Sequence, residues 1–563
     1  MTSIAHAAFG AALTFMMWRA LAQEWPDHLG DPAVATALRI VFPFVAAAGS
    51  ALSVAAGMIG GDVRRAFRHD ALSATALFLG LFELALGPIA RDLAGLVVVL
   101  VIAARLAPAA ALVIRTGAPP VFIFTLCFAA YAGLGTWRVA SSLPLGDQVF
   151  YLLAADRLGR GDLDARIDER LFFRIVGITP QPSDTATHVA NVPAGPRLIQ
   201  GYALPALIAP GWTAAGELGA VAIIALFAAW AAVQTWLLLG EIRPPGSRAA
   251  RVTWALVAFC TPAVSLATHI YPNALGAALV VTGYRYAFTA RHRRPIVAGL
   301  ALGATAFLNP RDGLLAFALA PFVAGYGRAV FTRFAIGGAI AVAASAAVDA
   351  VAYGIPIPYA GYLVGSTAPS GELPSTFTFQ LWVGLPAMLF DRTFGVAAVA
   401  PWLFLALLGA SDALRRDAPR LLPATVAIVV SVLTLSLYRY WEGGYAPPAR
   451  YFVDALPLFA PFVAYGLARC QDKPLRVCAI VLIAIGITAT LIFSAVPTAA
   501  LNTAYDARLQ TTLDSIFGAS PIGWLPSFQP ITPDWYIGAY LRLVPAMAIV
   551  AALVWMGRRT RTA

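Results

Sequence analysis

The reactive side chains of this chain gather in short turns of two kinds. One set mixes carboxylates, histidine, tyrosine and arginine with glycine and proline. It runs Gly146-Asp147-Gln148, His269-Ile270-Tyr271-Pro272-Asn273, Asn309-Pro310-Arg311-Asp312, Phe390-Asp391-Arg392, and Glu442-Gly443-Gly444 through Pro447-Pro448 to Arg450. The other set carries almost only arginine: Arg64, Arg65 and Arg68; Arg243, Arg248 and Arg251; Arg285, Arg291, Arg293 and Arg294; Arg415, Arg416 and Arg420. Arginine grips phosphate oxygens through paired, charge-assisted contacts and stays charged in a partly dry site. A carboxylate beside it can take the proton of an acceptor hydroxyl or amine. The mixed turns therefore suit a phosphate-bearing lipid substrate. Asp147 is the candidate base, Arg311, Arg392 and Arg450 the phosphate ligands, and His269, Tyr271 and Glu442 their helpers.

Each of these residues also has a plainer reading. Val149, Phe150, Leu152, Leu153 and Leu158, with Asp156, Arg157 and Arg160 opposite, predict an amphipathic helix on the membrane surface. Asp147 would stand at its N-cap, where a carboxylate satisfies free amides. Tyrosine, tryptophan and arginine are enriched at the membrane interface in any case, and a lone His269 is more often a satisfied hydrogen-bonding group than a ligand. What the plainer reading does not explain is the contrast between the two sets of turns.

The elements that position these turns are membrane spans. Of 563 residues, 60% are hydrophobic and 12% charged, against roughly 25% charged in a soluble domain, and the mean hydropathy is +0.76. Apolar runs near 4–21, 36–60, 71–90, 93–114, 119–138, 217–240, 252–269, 273–290, 295–309, 313–327, 334–353, 393–413, 421–438, 451–468, 475–497 and 538–557 predict an all-α polytopic protein of about sixteen spans. The net charge of +11 reads as membrane orientation rather than nucleic-acid binding, because the arginines sit between apolar runs. With alternating spans the arginine turns all fall on one side, which puts both termini in the cytoplasm. The long connections 139–201, 354–392 and 498–537 fall on the other side as folded caps with short amphipathic helices. Glu83 and Arg105, inside adjacent spans, predict a mutual ion pair, and Arg39 has no evident partner. The four cysteines, Cys127, Cys260, Cys470 and Cys478, show no metal or disulfide spacing.

Residues 119–470 resemble the bacterial type-C glycosyltransferases, relatives of the protein O-mannosyltransferases and the lipid A aminoarabinose transferases. The resemblance lies in Gly146-Asp147-Gln148 followed by Tyr151-Leu152 and Gly161-Asp162-Leu163-Asp164, then Pro205 to Pro210, Ile270-Tyr271-Pro272, Asn309-Pro310-Arg311, Phe390-Asp391-Arg392 and Gly443-Gly444 to Arg450, in the family's order. It implies a bacterial inner-membrane enzyme with its site on the extracytoplasmic face. Such an enzyme moves a sugar from a polyprenyl-phosphate donor to a glycan, lipid or protein acceptor, with inversion and with Asp147 as the base. The domain division that follows is a four-span extension at 1–115, a core at 116–470 and further spans at 471–563. The family commonly has glutamate where this chain has Gln148 and Asn273, and a His-Pro pattern where His188 stands without a proline. A bound divalent metal and a second acidic group are therefore open, and no metal ligand is assigned. Two alternatives have other signatures: a transporter or lipid flippase would carry ionisable groups at mid-membrane on broken helices, and a degenerate family member would bind without catalysing.

Overall fold

The computed structural model describes residues 91–180, 188–192, 195–365, 380–438, 441–502, 508–519, 522–528 and 535–559. The first three expected spans, Arg39, and Glu83 as the expected partner of Arg105 lie outside the described residues. Helices dominate: α1 (Arg91–Thr116), α2 (Pro120–Ser141), α3 (Asp147–Leu158) and α4 (Glu169–Val176) lead to a two-stranded antiparallel hairpin, β1 (Val189–Val192) and β2 (Gly195–Leu198). Then come α5 (Ala203–Ile242), α6 (Ser247–Phe259), α7 (Ala263–Ala267), α8 (Asn273–Tyr284), α9 (Pro295–Gly303), α10 (Pro310–Ala324) and α11 (Arg328–Tyr353). The chain closes with α12 (Ala360–Gly365), α13 (Leu381–Phe390), α14 (Val396–Val399), α15 (Leu405–Ser436), α16 (Leu456–Arg469), α17 (Lys473–Ala495), α18 (Arg508–Phe517) and α19 (Trp535–Arg559).

Among the described residues five helices are long and apolar enough to cross a membrane: α2, α5, α11, α17 and the helical stretch from Pro401 to Ser436. Other apolar helical stretches are shorter than a span, including Pro295–Phe307, Leu381–Phe390 and Leu456–Arg469. Proline and glycine account for much of the difference from sixteen uniform spans. The run expected at 252–269 stops at Phe259 and resumes after Pro262, which has no amide to donate. The run expected at 273–290 ends as a π-helical turn, Arg285–Thr289. The 217–240 run is the second half of the 40-residue α5, which hinges at Ala215 and Gly216. The expected pair 393–413 and 421–438 join through a kink at Asp417 inside α15. Close helix packing relies on small residues, as membrane helices do: a Cβ on Gly409 would stand 2.1 Å from the Phe462 carbonyl oxygen on α16.

The two sets of turns collect at separate places. Arginine-rich ends bond to one another: Arg251 donates to the Arg115 carbonyl, Arg285 pairs with Glu241, and Tyr284 donates to the Arg420 carbonyl. The mixed turns converge elsewhere, under α3, α4 and the hairpin. The surface amphipathic helix expected from Asp147 onward is not one, since every residue from Gln148 to Ala155 is buried. It packs against α5 and α4, so both its faces are covered. The amphipathic element of this loop is α4, capped by Asp168, with Leu171, Phe172, Ile175 and Val176 inward and Arg170, Phe173 and Arg174 exposed.

The segregation of turns gives a test of sidedness. Single cysteines at the exposed positions 162 and 248, in a background lacking the half-buried Cys478, should label from opposite sides of intact cells: 162 from outside, 248 only after permeabilisation. Labelling of both from one side contradicts the arrangement.

Candidate functional site

The site is built around Asp147. Gly146 precedes it with φ +60, and a Cβ there would stand 2.9 Å from both the Cβ and the carbonyl oxygen of Tyr445, so the turn admits only glycine. Gly146 is the N-cap of α3 and Asp147 the first helical residue, making no capping bond. The expected capping role is thereby corrected: the carboxylate is turned to other partners. Its Oδ1 lies 3.3 Å from Nε2 of His188, and its Oδ2 accepts from Nη1 of Arg450 at 3.3 Å. Burial pushes the carboxyl's pKa upward, but the His188 hydrogen bond and the Arg450 charge outweigh it and hold it down at about 2.

Arg450 is fixed from several sides. Its Nη2 donates to the Tyr451 hydroxyl at 3.0 Å, and its guanidinium lies 5.0 Å from the Tyr271 ring centroid and 4.8 Å from that of Tyr451. Arg311 lies 4.5 Å from the same Tyr451 ring and donates to Asp454 Oδ2 at 3.2 Å. Two guanidiniums thus flank one tyrosine, and each has a buried Nε–H with no hydrogen-bond partner among the described residues. Tyr271 donates to the Tyr445 carbonyl, which locks its ring beneath Arg450. Asn273 ties the two cations together, donating to Asp454 Oδ2 at 2.9 Å and to the Arg450 carbonyl at 3.3 Å. The side chains keep limited access to the outside: 27% for Asp147, 17% for Arg311, 15% for His188 and 12% for Arg450.

The structure therefore brings together Asp147, Arg311, Arg450 and Tyr271, drawn from four turns. His269 is elsewhere: it is buried, with Nδ1 2.6 Å from the Ser265 carbonyl, on the side of Arg138. Arg392 lies in a neighbouring turn whose Phe394 carbonyl accepts from the Ala449 amide; its own buried Nε makes no hydrogen bond among the described residues. Glu442 is half-buried in the turn leading to Arg450. Sequence reasoning missed His188, Tyr451 and Asp454 as members of the site. Asp454 carried a usable signal, a carboxylate inside an apolar run four residues after Arg450. His188 carried none, being brought in only by the hairpin.

Gln148 and Asn273 each use the donor that a carboxylate in their place would lack. Gln148 is fully buried; its Oε1 accepts from the Ile270 amide at 3.0 Å and its Nε2 donates to the Leu145 carbonyl at 3.2 Å. Asn273 donates twice, as above, beside Asp454. Among the described residues no group of three or more His, Cys, Asp or Glu side chains is placed to hold a metal ion. No protein-family model and no curated protein matches this chain.

Because the Asp147 carboxyl's pKa is depressed in the fold, its charge stabilises the protein above the unfolded value near 3.8, and that contribution is lost as pH falls towards 2. Asp147→Asn should therefore melt below wild type at pH 7, and the gap should narrow between about pH 4 and pH 2. A gap that stays constant across that range contradicts the ion pair.

Proposed function

We propose that this protein is a type-C glycosyltransferase that moves a sugar from a polyprenyl-phosphate donor to an extracytoplasmic glycan, lipid or protein acceptor in a bacterial inner membrane. The observation that carries this reading is the pair of guanidiniums, Arg311 and Arg450, set on either side of Tyr451, each with an Nε–H that makes no hydrogen bond among the described residues, Arg450 against Asp147 and Arg311 against Asp454 and Asp312. A phosphate monoanion or diester offers the acceptors those donors lack. As the anomeric carbon–oxygen bond breaks, its electron pair leaves with the phosphate, and cations placed there stabilise the transition state more than the ground state. The acceptor oxygen attacks from the opposite face, losing its proton towards Asp147, and the anomeric centre inverts.

The same geometry supplies an order of events. With Arg450 against it, Asp147 is a weak base, because basicity follows pKa. A donor phosphate competes for Arg450, dilutes its hold on the carboxylate and raises the basicity of Asp147 once substrate is present. Against the transporter alternative, Arg285 with Glu241 and Arg311 in the first turn of α10 lie at helix ends, whereas Arg138 with Glu217, beside the Ala215–Gly216 hinge, sits on a broken helix as that alternative would have it. The non-catalytic alternative rested on the two lost carboxylates, and both amides have structural work that a carboxylate cannot do.

The test is donor recognition. Purified protein in nanodiscs, titrated with a short-chain polyprenyl phosphate, should bind it saturably. Arg450→Ala should weaken binding by at least about tenfold, the worth of one charge-assisted contact. Arg450→Lys should fall between, keeping the charge without the planar fork. Equal affinity in all three proteins contradicts the assignment.

A further inference from the structure

A second polar recess adjoins the charged site and carries no arginine. It is a narrow open cleft of about 310 Å³, its solvent-filled mouth included, between the exit of the hairpin, the turn Ala304–Phe307, α11 and α12. Gln200, Ser345, Asp349, Tyr359 and Tyr362 form its polar lining, and Phe307 adds apolar surface. Close contacts build its walls. Tyr359 has φ +65, a conformation that bulky side chains rarely adopt. A Cβ on Gly313 of α10 would stand 2.2 Å from the Tyr359 hydroxyl, so α10 gives up a side chain to admit it. A Cβ on Gly361 would stand 2.5 Å from the Ile199 carbonyl oxygen, so α12 closes directly on the hairpin exit. Asp349 accepts from the Ala360 amide at 3.2 Å, and Ser345 donates to the Ala306 carbonyl at 3.0 Å. The side-chain oxygen of Gln200 is buried and makes no hydrogen bond among the described residues. A buried polar atom left so calls for a bound partner.

We infer that this cleft is the sugar subsite of the donor: it takes one neutral sugar ring, whose hydroxyls bond to Gln200 and Asp349 while Arg311 and Arg450 hold the phosphate. The inference rests on the glycosyl-transfer reading above and deepens it. In a sugar phosphate the ring is a single oxygen away from phosphorus, so its subsite has to adjoin the phosphate ligands. Tyr362 is the wall the two share. Its hydroxyl donates to Asn309 Oδ1 at 3.2 Å, in the turn that carries Arg311, and its charged neighbours are Arg311, Asp147 and Arg450. The chemistry of the lining fits a ring of hydroxyls. Hydroxyls donate and accept, and an amide and a carboxylate answer them; the C–H faces of the ring pack on Phe307 and its aliphatic neighbours, as ligand pockets combine apolar surface with a few polar groups. The volume stands at the small end of such pockets, which suits one ring and not a lipid tail. Charge sets the class of sugar. No cationic side chain lines the cleft, so the phosphate is drawn to the arginines, and a uronic acid would set its carboxylate against Asp349, a juxtaposition of like charges that is costly. Gln200 and Asp349 are therefore specificity-determining residues, reached through the hairpin exit and α11 rather than through the turns that supply the charged site.

The test compares ligands that differ only in the sugar, on the full chain in nanodiscs. The probes are a short-chain polyprenyl phosphate, bare or carrying glucose, mannose, galactose or glucuronic acid. Wild type should bind at least one of the three neutral forms about tenfold more tightly than the bare phosphate, the worth of one or two added hydrogen bonds, and should bind the glucuronyl form no more tightly than the bare one. Gln200→Leu and Asp349→Asn, on separate elements, should each weaken the neutral sugar form by about tenfold and leave the affinity for the bare phosphate as in wild type. The bare phosphate thus reports on the fold and on the arginine site in every variant. Sugar-dependent affinity that survives both substitutions overturns the subsite while leaving the transferase reading. So does equal weakening of bare and sugar-bearing ligands, which would place both residues in support of the arginine site. Glucuronyl binding as tight as that of the neutral forms overturns the assignment of a neutral sugar. Wild-type protein that binds none of the five ligands overturns the glycosyl-transfer reading and the subsite with it.

Discussion

The site depends on one carboxylate shared between two cationic or protonatable partners. Asp147 meets His188 41 residues later and Arg450 303 residues later, so the contact exists only if the first loop, the hairpin and the turn before α16 are all in place. Gly146 makes the meeting possible by giving up its side chain where Tyr445 crosses. An aspartate left without Arg450, or an arginine left without Asp147, would be a poorly solvated charge, and removing one partner of such a pair costs more than the pair contributes. The geometry is accordingly self-consistent, each charge requiring the other.

A second polar cluster braces the first. Asp454 anchors Arg311, and Asn273 spans from Asp454 to the backbone of Arg450, so the two guanidiniums are set relative to each other by a shared amide. Tyr451 separates them and accepts from one. Gln148, one residue beyond Asp147, spends both its polar atoms on the backbone of neighbouring turns. Buried amides hydrogen-bonded to neighbouring turns rigidify the surroundings of a site, and here they do so without adding negative charge beside Asp147.

Much of this was legible in the residues, and the limits are physical. The apolar runs and the two kinds of turn announced helices with a chemically distinct end, and Asp147, Arg311, Arg450 and Tyr271 were identifiable from type and company alone. Helix continuity was not: Pro262 and the Ala215–Gly216 hinge break or join runs that hydropathy averages smooth over. The Gln148–Ala155 segment carried a one-sided pattern, yet α4 and α5 bury its other face, which no local period reveals. His269 sat in the right turn and points the wrong way, whereas His188 sat in an uninformative stretch and is delivered by a hairpin. Side-chain direction at a helix end depends on which neighbour the chain meets, and that is a tertiary fact.

The central claim is that Asp147 takes the proton of the acceptor. Turnover of Asp147→Asn on a short-chain polyprenyl-phosphate hexose, measured beside its donor affinity, tests this most directly. The account predicts a variant that binds donor as tightly as wild type or tighter, since Arg450 is freed for the phosphate, yet transfers sugar more slowly by a factor on the order of 10²–10⁴. A folded Asp147→Asn protein with near-normal turnover would contradict it.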